Sequence, residues 1–97
     1  MKIVFYVEKA NRMKAEETIG KDPVGRQSIT IRDAVSLGIK KDGTYFYIDG
    51  TDEACALARE WLKNIAIETD AKERDEVIKK MEEQESSVFG GVSSIFG

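Results

Sequence analysis

Residues 42–65 read DGTYFYIDGTDEACALAREWLKNI, and this stretch decides the fold. Asp42-Gly43 is a turn signal, and Thr44 to Asp49 alternates aromatic and β-branched side chains as a strand does. Gly50 ends the strand. Thr51 is placed to cap a helix, with Asp52 and Glu53 in its first turn, where the helix dipole favours acids. Ala54, Leu57, Ala58, Trp61, Leu62 and Ile65 then recur at i, i+3, i+4, i+7, i+8 and i+11, the stripe of a helix facing a core. The pattern predicts a helix over 51–64 packed on a small sheet.

Outward from that unit, Ile3 to Val7 are rich in β-formers and predict a buried strand over 2–8. A short helix over 11–19 follows, although Met13, Ala15 and Ile19 form no clean stripe. Residues 20–25 are a turn-rich break containing the chain's one proline. Ser28 to Ile31 predicts a second strand, and Arg32 to Leu37 one or two helical turns stopped by Gly38. Ile65-Ala66-Ile67 reads either as a short fourth strand or as more of the helix. Asp70 opens a charged helix to about Glu85, with Glu76 and Lys80 at pairing distance.

The expected class is therefore α+β. A mixed or antiparallel sheet of three or four strands is packed by helix 51–64, with a second helix over about 70–85. Strand, helix, strand, strand, helix, strand in that order describes a ferredoxin-like sandwich with a helix appended. The expected division is a compact domain over 1–69, a charged helix over 70–85 and a flexible Ser/Gly/Phe tail over 86–97. The core should contain Val4, Ile29, Ile48, Leu57, Trp61 and Leu62.

Composition narrows the function classes. The 97 residues are 41% apolar and 34% charged, which suits one well-solvated globular domain. No apolar run has the length of a membrane span, and the N-terminal stretch has no signal-peptide pattern. With a single cysteine, the expectation is a cytoplasmic protein without membrane association. Charge is divided: residues 1–44 carry nine Lys/Arg against six Asp/Glu, whereas residues 45–97 carry six against twelve. The net of −3 argues against a dominant non-specific nucleic-acid role. The composition, rich in Glu and Lys, is also thermophile-like. The chain has no histidine, hence no His-based triad and no His metal ligand. Cys55 lies one position off the apolar stripe and reads as a small packing residue.

Three segments resemble nucleic-acid-binding families. Residues 19–65, with Ile19-Gly20, Gly25-Arg26 and GTYFYIDGTDEACALAREWLKNI, resemble the later half of a KH domain, which implies a backbone clamp on nucleic acid. Four residues separate Gly20 from Gly25 where that family has two. Residues 25–48 resemble AbrB-type DNA-binding hairpins. Residues 29–48 resemble a helix-turn-helix, with Ala34 and Gly38 at the offset that motif uses. Residues 20–28, GKDPVGRQS, echo a phosphate-binding loop, but Arg26 and Gln27 stand where its lysine and hydroxyl belong.

Two further features carry chemistry. Asp49, Asp52 and Glu53 surround Gly50 and are the candidate ligands for calcium or magnesium, which take carboxylate and carbonyl oxygens. Helix capping accounts for the same acids. At the C-terminal end, Ser86-Ser87-Val88-Phe89-Gly90 returns seven positions later as Ser93-Ser94-Ile95-Phe96-Gly97. On a helix, Val88, Phe89, Val92, Ile95 and Phe96 fall within an arc of roughly 120°. They continue a stripe begun by Val77, Ile78 and Met81 and broken at Glu85. A seven-residue apolar repeat presents a seam to another surface, and Gly90 and Gly91 oppose a stable isolated helix. The functional expectation is a small non-enzymatic binding or assembly protein. Its tail contacts a protein partner or a second copy, and a cation-binding protein and a KH-like or AbrB-like module are the alternatives.

Overall fold

A computed structural model of the chain describes the backbone of residues 1–96 and the side chains of residues 1–85. Four strands, β1 (Lys2–Val7), β2 (Ser28–Asp33), β3 (Thr44–Asp49) and β4 (Ile67–Glu68), form one sheet in the order β2-β3-β1-β4. Every neighbouring pair is antiparallel, with Phe5 opposite Phe46 and Ile31 opposite Phe46 on the other side. Helix α1 (Arg12–Ile19) joins β1 to β2 and helix α2 (Asp52–Trp61) joins β3 to β4. This is the ferredoxin-like order expected from the sequence, with α3 (Ala71–Phe96) added after β4.

Strand alternation explains why both sheet faces are covered. Ile3, Phe5 and Val7 of β1 and Phe46 and Ile48 of β3 point to one face, where Ala15 and Ile19 of α1 and Cys55, Ala58 and Leu62 of α2 pack on them. Val4 and Tyr45 point to the other face and are buried under Val77, Ile78 and Met81 of α3. Strands with apolar residues on both sides need two layers of cover. The helix expected as an appendage supplies the second.

Several expectations shift accordingly. Val4, Ile48 and Leu62 are fully buried, but Val4 lies in the α3 core rather than under α2. Ile29, Leu57 and Trp61 are only half-buried at the margin of the first core, Ile29 because β2 is an edge strand. Helix α2 ends at Trp61 instead of residue 64. Leu62 leaves helical geometry at φ −94° and ψ 2°, and the Ile65 and Ala66 amides both donate to its carbonyl. Arg32 to Leu37 is not helical throughout: β2 continues to Asp33, and a single 3-10 turn over Val35–Leu37 follows. Gly38 does end it, at φ 77°.

The sheet's long edge is partly closed by its own side chains. The Ala34 amide donates to the Gly43 carbonyl, so residues of that parity face β3. Ile29, Ile31 and Asp33 therefore turn their backbone groups outward. Of these, the Ile31 carbonyl accepts from the Arg32 guanidinium at 2.8 Å and the Asp33 carbonyl from the Ser36 hydroxyl at 2.7 Å. At the opposite edge, Arg59 of α2 grips both carboxylate oxygens of Glu68 at 2.7 and 2.9 Å, fastening the two-residue β4.

Candidate functional site

Helix α3 crosses the second sheet face from β4 toward β2, and its attachments build a polar cluster around Glu73. Its start is capped by Asp70, whose carboxylate accepts from the Glu73 amide at 2.8 Å. Glu73 then reaches across the sheet. Its Oε2 accepts from the Tyr45 hydroxyl at 2.7 Å and from Lys41 Nζ at 3.2 Å. Lys41 also lies 4.9 Å from the centre of the Tyr6 ring, and Tyr6 meets Tyr45 edge-on at 5.4 Å. The Tyr6 hydroxyl accepts from the Gly43 amide at 3.0 Å. A β-carbon on Gly43 would stand 2.5 Å from both that ring and the Val7 carbonyl, so the close approach requires glycine here. Burial, reinforced by the Glu73 carboxylate, pushes the Tyr45 phenol well above its ordinary range. Burial likewise raises Tyr47 on the same face.

A cleft of about 300 Å³ opens beside this cluster, lined by Ile39, Lys41, Tyr45, Glu73, Glu76 and Val77 among others. Two more, of about 540 and 400 Å³, meet at Lys9, Asp42 and Gly43 on the same end of the sheet. Their charged side chains are of both signs, and Arg12 is already held by Asp33 at 2.7 Å and Glu16 at 3.2 Å. The far end of the described part of α3 is tied to β2 and to the turn after it. Gln84 accepts from Arg32 Nε at 3.1 Å and donates to the Ser36 carbonyl at 2.9 Å.

No family model, curated protein or solved structure matches this chain. Its candidate sites rest on their own geometry. The tail residues Val88, Phe89, Val92, Ile95 and Phe96 lie outside the described side chains. What is described is the first part of their stripe, Val77, Ile78 and Met81, all facing the sheet.

Asp49, Asp52 and Glu53 are all exposed. Thr51 caps α2 by accepting from the Ala54 amide at 3.1 Å, with Asp52 and Glu53 in the first turn. Among the described residues, no group of three or more His, Cys, Asp or Glu side chains is gathered to hold a metal ion. The cation reading gains no support from this placement.

The nucleic-acid resemblances fare differently from one another. Helix-turn-helix geometry is ruled out, because the segments flanking the Val35–Leu37 turn are β2 and β3, paired along their length. Gly20 and Gly25 lie in the connection from α1 to β2 and touch: a β-carbon on Gly25 would stand 2.4 Å from the Gly20 carbonyl oxygen. The amides of Gly25, Arg26 and Gln27 donate to Lys21, Pro23 and Val24, so none of these three points at a ligand. Residues 25–48 do make a hairpin, as an AbrB-like reading requires, but within a four-stranded sheet. Cys55 is buried, and burial raises its thiol above the ordinary value, as befits packing rather than nucleophilic chemistry. Sequence reasoning missed the Tyr6, Lys41, Tyr45 and Glu73 cluster. Alternation of the two tyrosines hinted at a second covered face, but nothing local ties Glu73 to either.

Proposed function

We propose that this chain is a small non-enzymatic binding or assembly protein whose apolar repeat, SSVFG and SSIFG, contacts a protein partner. One observation carries the reading. The stripe of α3 is used on the chain's own sheet through Met81, and at Gln84 the helix has reached the edge strand β2. In sequence the apolar pattern continues beyond Gln84 through Val88, Phe89, Val92, Ile95 and Phe96. Burying two phenylalanines and three aliphatics contributes several kcal/mol, against ordering costs of about 1–2 kcal/mol per residue. The remainder suits a reversible contact.

Truncation after Glu85 tests it, because the shortened chain keeps every contact described above. The expected result is an unchanged melting temperature together with loss of association in sedimentation. A full-length chain that stays monomeric and captures nothing the truncated chain fails to capture would sink the reading.

A further inference from the structure

We infer that the sheet face beneath α3 is a binding surface for single-stranded nucleic acid, with α3 as its detachable cover. The inference goes beyond the reading of the tail and uses none of the tail's residues.

Cross-strand register gathers the side chains concerned. Tyr6 and Arg32 lie opposite Tyr45 on its two sides, and Val4 and Thr30 lie opposite Tyr47 in the same way. Residues directly opposite share a face, and alternation adds Lys2 of β1 to it. The face therefore carries three tyrosines on the two central strands, with Lys2 and Arg32 at its borders. Lys41 joins them, its Nζ 4.9 Å from the centre of the Tyr6 ring. Asp49 is the one acid that the strands contribute to this face. Rings on which bases stack, set among cations that meet phosphates, are what sequence-tolerant recognition of a single strand requires.

Helix α3 supplies the face with stand-ins for such a ligand. Residues 70–85 carry seven Asp/Glu against four Lys/Arg. Glu73 takes Lys41 at 3.2 Å and Gln84 takes Arg32 at 3.1 Å, while the charges of Lys2 and Glu82 both act on the Tyr47 phenol. The apolar grip between these attachments is short, consisting of Val77, Ile78 and Met81. Tyr6 and Tyr47 stay half-buried with the helix in place, and Ile67, opposite Tyr6, is 62% exposed. A docked helix thus satisfies the cations and leaves ring surface unused. An acidic helix from another protein would do the same, whereas planar bases use the rings as well. A face that is open only part of the time binds with its affinity reduced by that fraction, so loosening α3 strengthens the ligand.

Fluorescence anisotropy of a labelled single strand of about twelve nucleotides tests this on the full-length chain and full-length variants. Met81→Ala and, separately, Glu73→Gln loosen α3 and should tighten binding about five-fold or more. Tyr47→Ala or Lys2→Ala added to Met81→Ala should remove the gain, and Tyr47→Phe should keep it because the ring remains. Phosphate contacts by Lys2, Arg32 and Lys41 give a log–log salt slope of about −2. Amide exchange in β1 and β3 that matches the unaltered chain shows that a variant is folded. Glu73→Gln removes a polar attachment without leaving a cavity, and it decides the matter if Met81→Ala does not fold. Binding that is equal with α3 loosened or not denies the helix its role as a cover and overturns the inference. Binding that survives Tyr47→Ala, or that an acidic peptide competes away as well as unlabelled oligonucleotide does, shows a face that reads charge alone and overturns it too. So does the absence of binding in every folded variant.

Discussion

Behind the sheet, α1 and α2 are held chiefly by apolar contact: Ile3, Phe5, Val7, Phe46 and Ile48 meet Ala15, Ile19, Cys55, Ala58 and Leu62. In front, α3 sets Val77, Ile78 and Met81 between polar attachments, Glu73 to Tyr45 and Lys41 at one end and Gln84 to Arg32 and Ser36 at the other. Apolar burial is non-directional, and it fixes that a layer exists. Hydrogen bonds are directional, and they fix where a helix lies along a face. The rear face therefore owes its cohesion to apolar burial, while on the front face polar attachments fix the register of α3 and bring it to the β2 edge at Gln84.

That contrast can be broken most directly from behind. Phe46→Ala, at a side chain with no exposed surface, should cost about 3–5 kcal/mol in urea unfolding. Trp61→Ala should cost clearly less, because Trp61 is only half-buried. Equal losses would show that the margin of α2 matters as much as its centre. On the front face, Met81→Ala should cost about 2–3 kcal/mol. Amide exchange should rise along α3 while β1 and β3 stay protected. Exchange that rises uniformly would mean the two faces are one cooperative unit. Gly43→Ala should cost about 1–3 kcal/mol by forcing the new methyl into Tyr6 and the Val7 carbonyl. A stabilising outcome would show that the loop can retreat.

The smallest effect is in the pH profile. The Tyr45 phenol is raised in the folded chain, whereas tyrosines of the unfolded chain ionise near pH 10. Above that value the unfolded state holds fewer protons, so stability should be flat to about pH 9 and fall beyond it. Tyr47 and Cys55 act in the same direction. Tyr45→Phe should thus make the alkaline fall shallower without removing it. A fall of unchanged slope would show that Tyr45 does not anchor α3 through its proton.

How much of this was legible follows from the range of each interaction. Residues 42–65 were readable because strand, cap and stripe are all local: Thr51 caps as its position implies, and the apolar stripe faces the sheet. The end of α2 was misplaced because Ile65 keeps the helical period while reaching the core from a turn. Val4 was assigned to the wrong core for a similar reason. Periodicity says that a residue is buried and not which layer buries it. Glu73 and Tyr45 are 28 positions apart, and no spacing rule joins them. Thr44, buried with its hydroxyl on Asp33 at 3.1 Å, was equally invisible.

The capped carbonyls of Ile31 and Asp33 bear on how this chain behaves at high concentration. A strand such as Ser-Ile-Thr-Ile, left bare at the rim of a sheet, is a nucleus for fibrillar growth. Here the residue beside Ile31 and the hydroxyl three positions beyond Asp33 act as gatekeepers, built from the strand's own neighbours rather than from a proline or a covering element. Solubility and the position of α3 then share one side chain, since the Arg32 that guards the rim also holds Gln84. Changes at that arginine made to study assembly would therefore raise the tendency to aggregate at the same time.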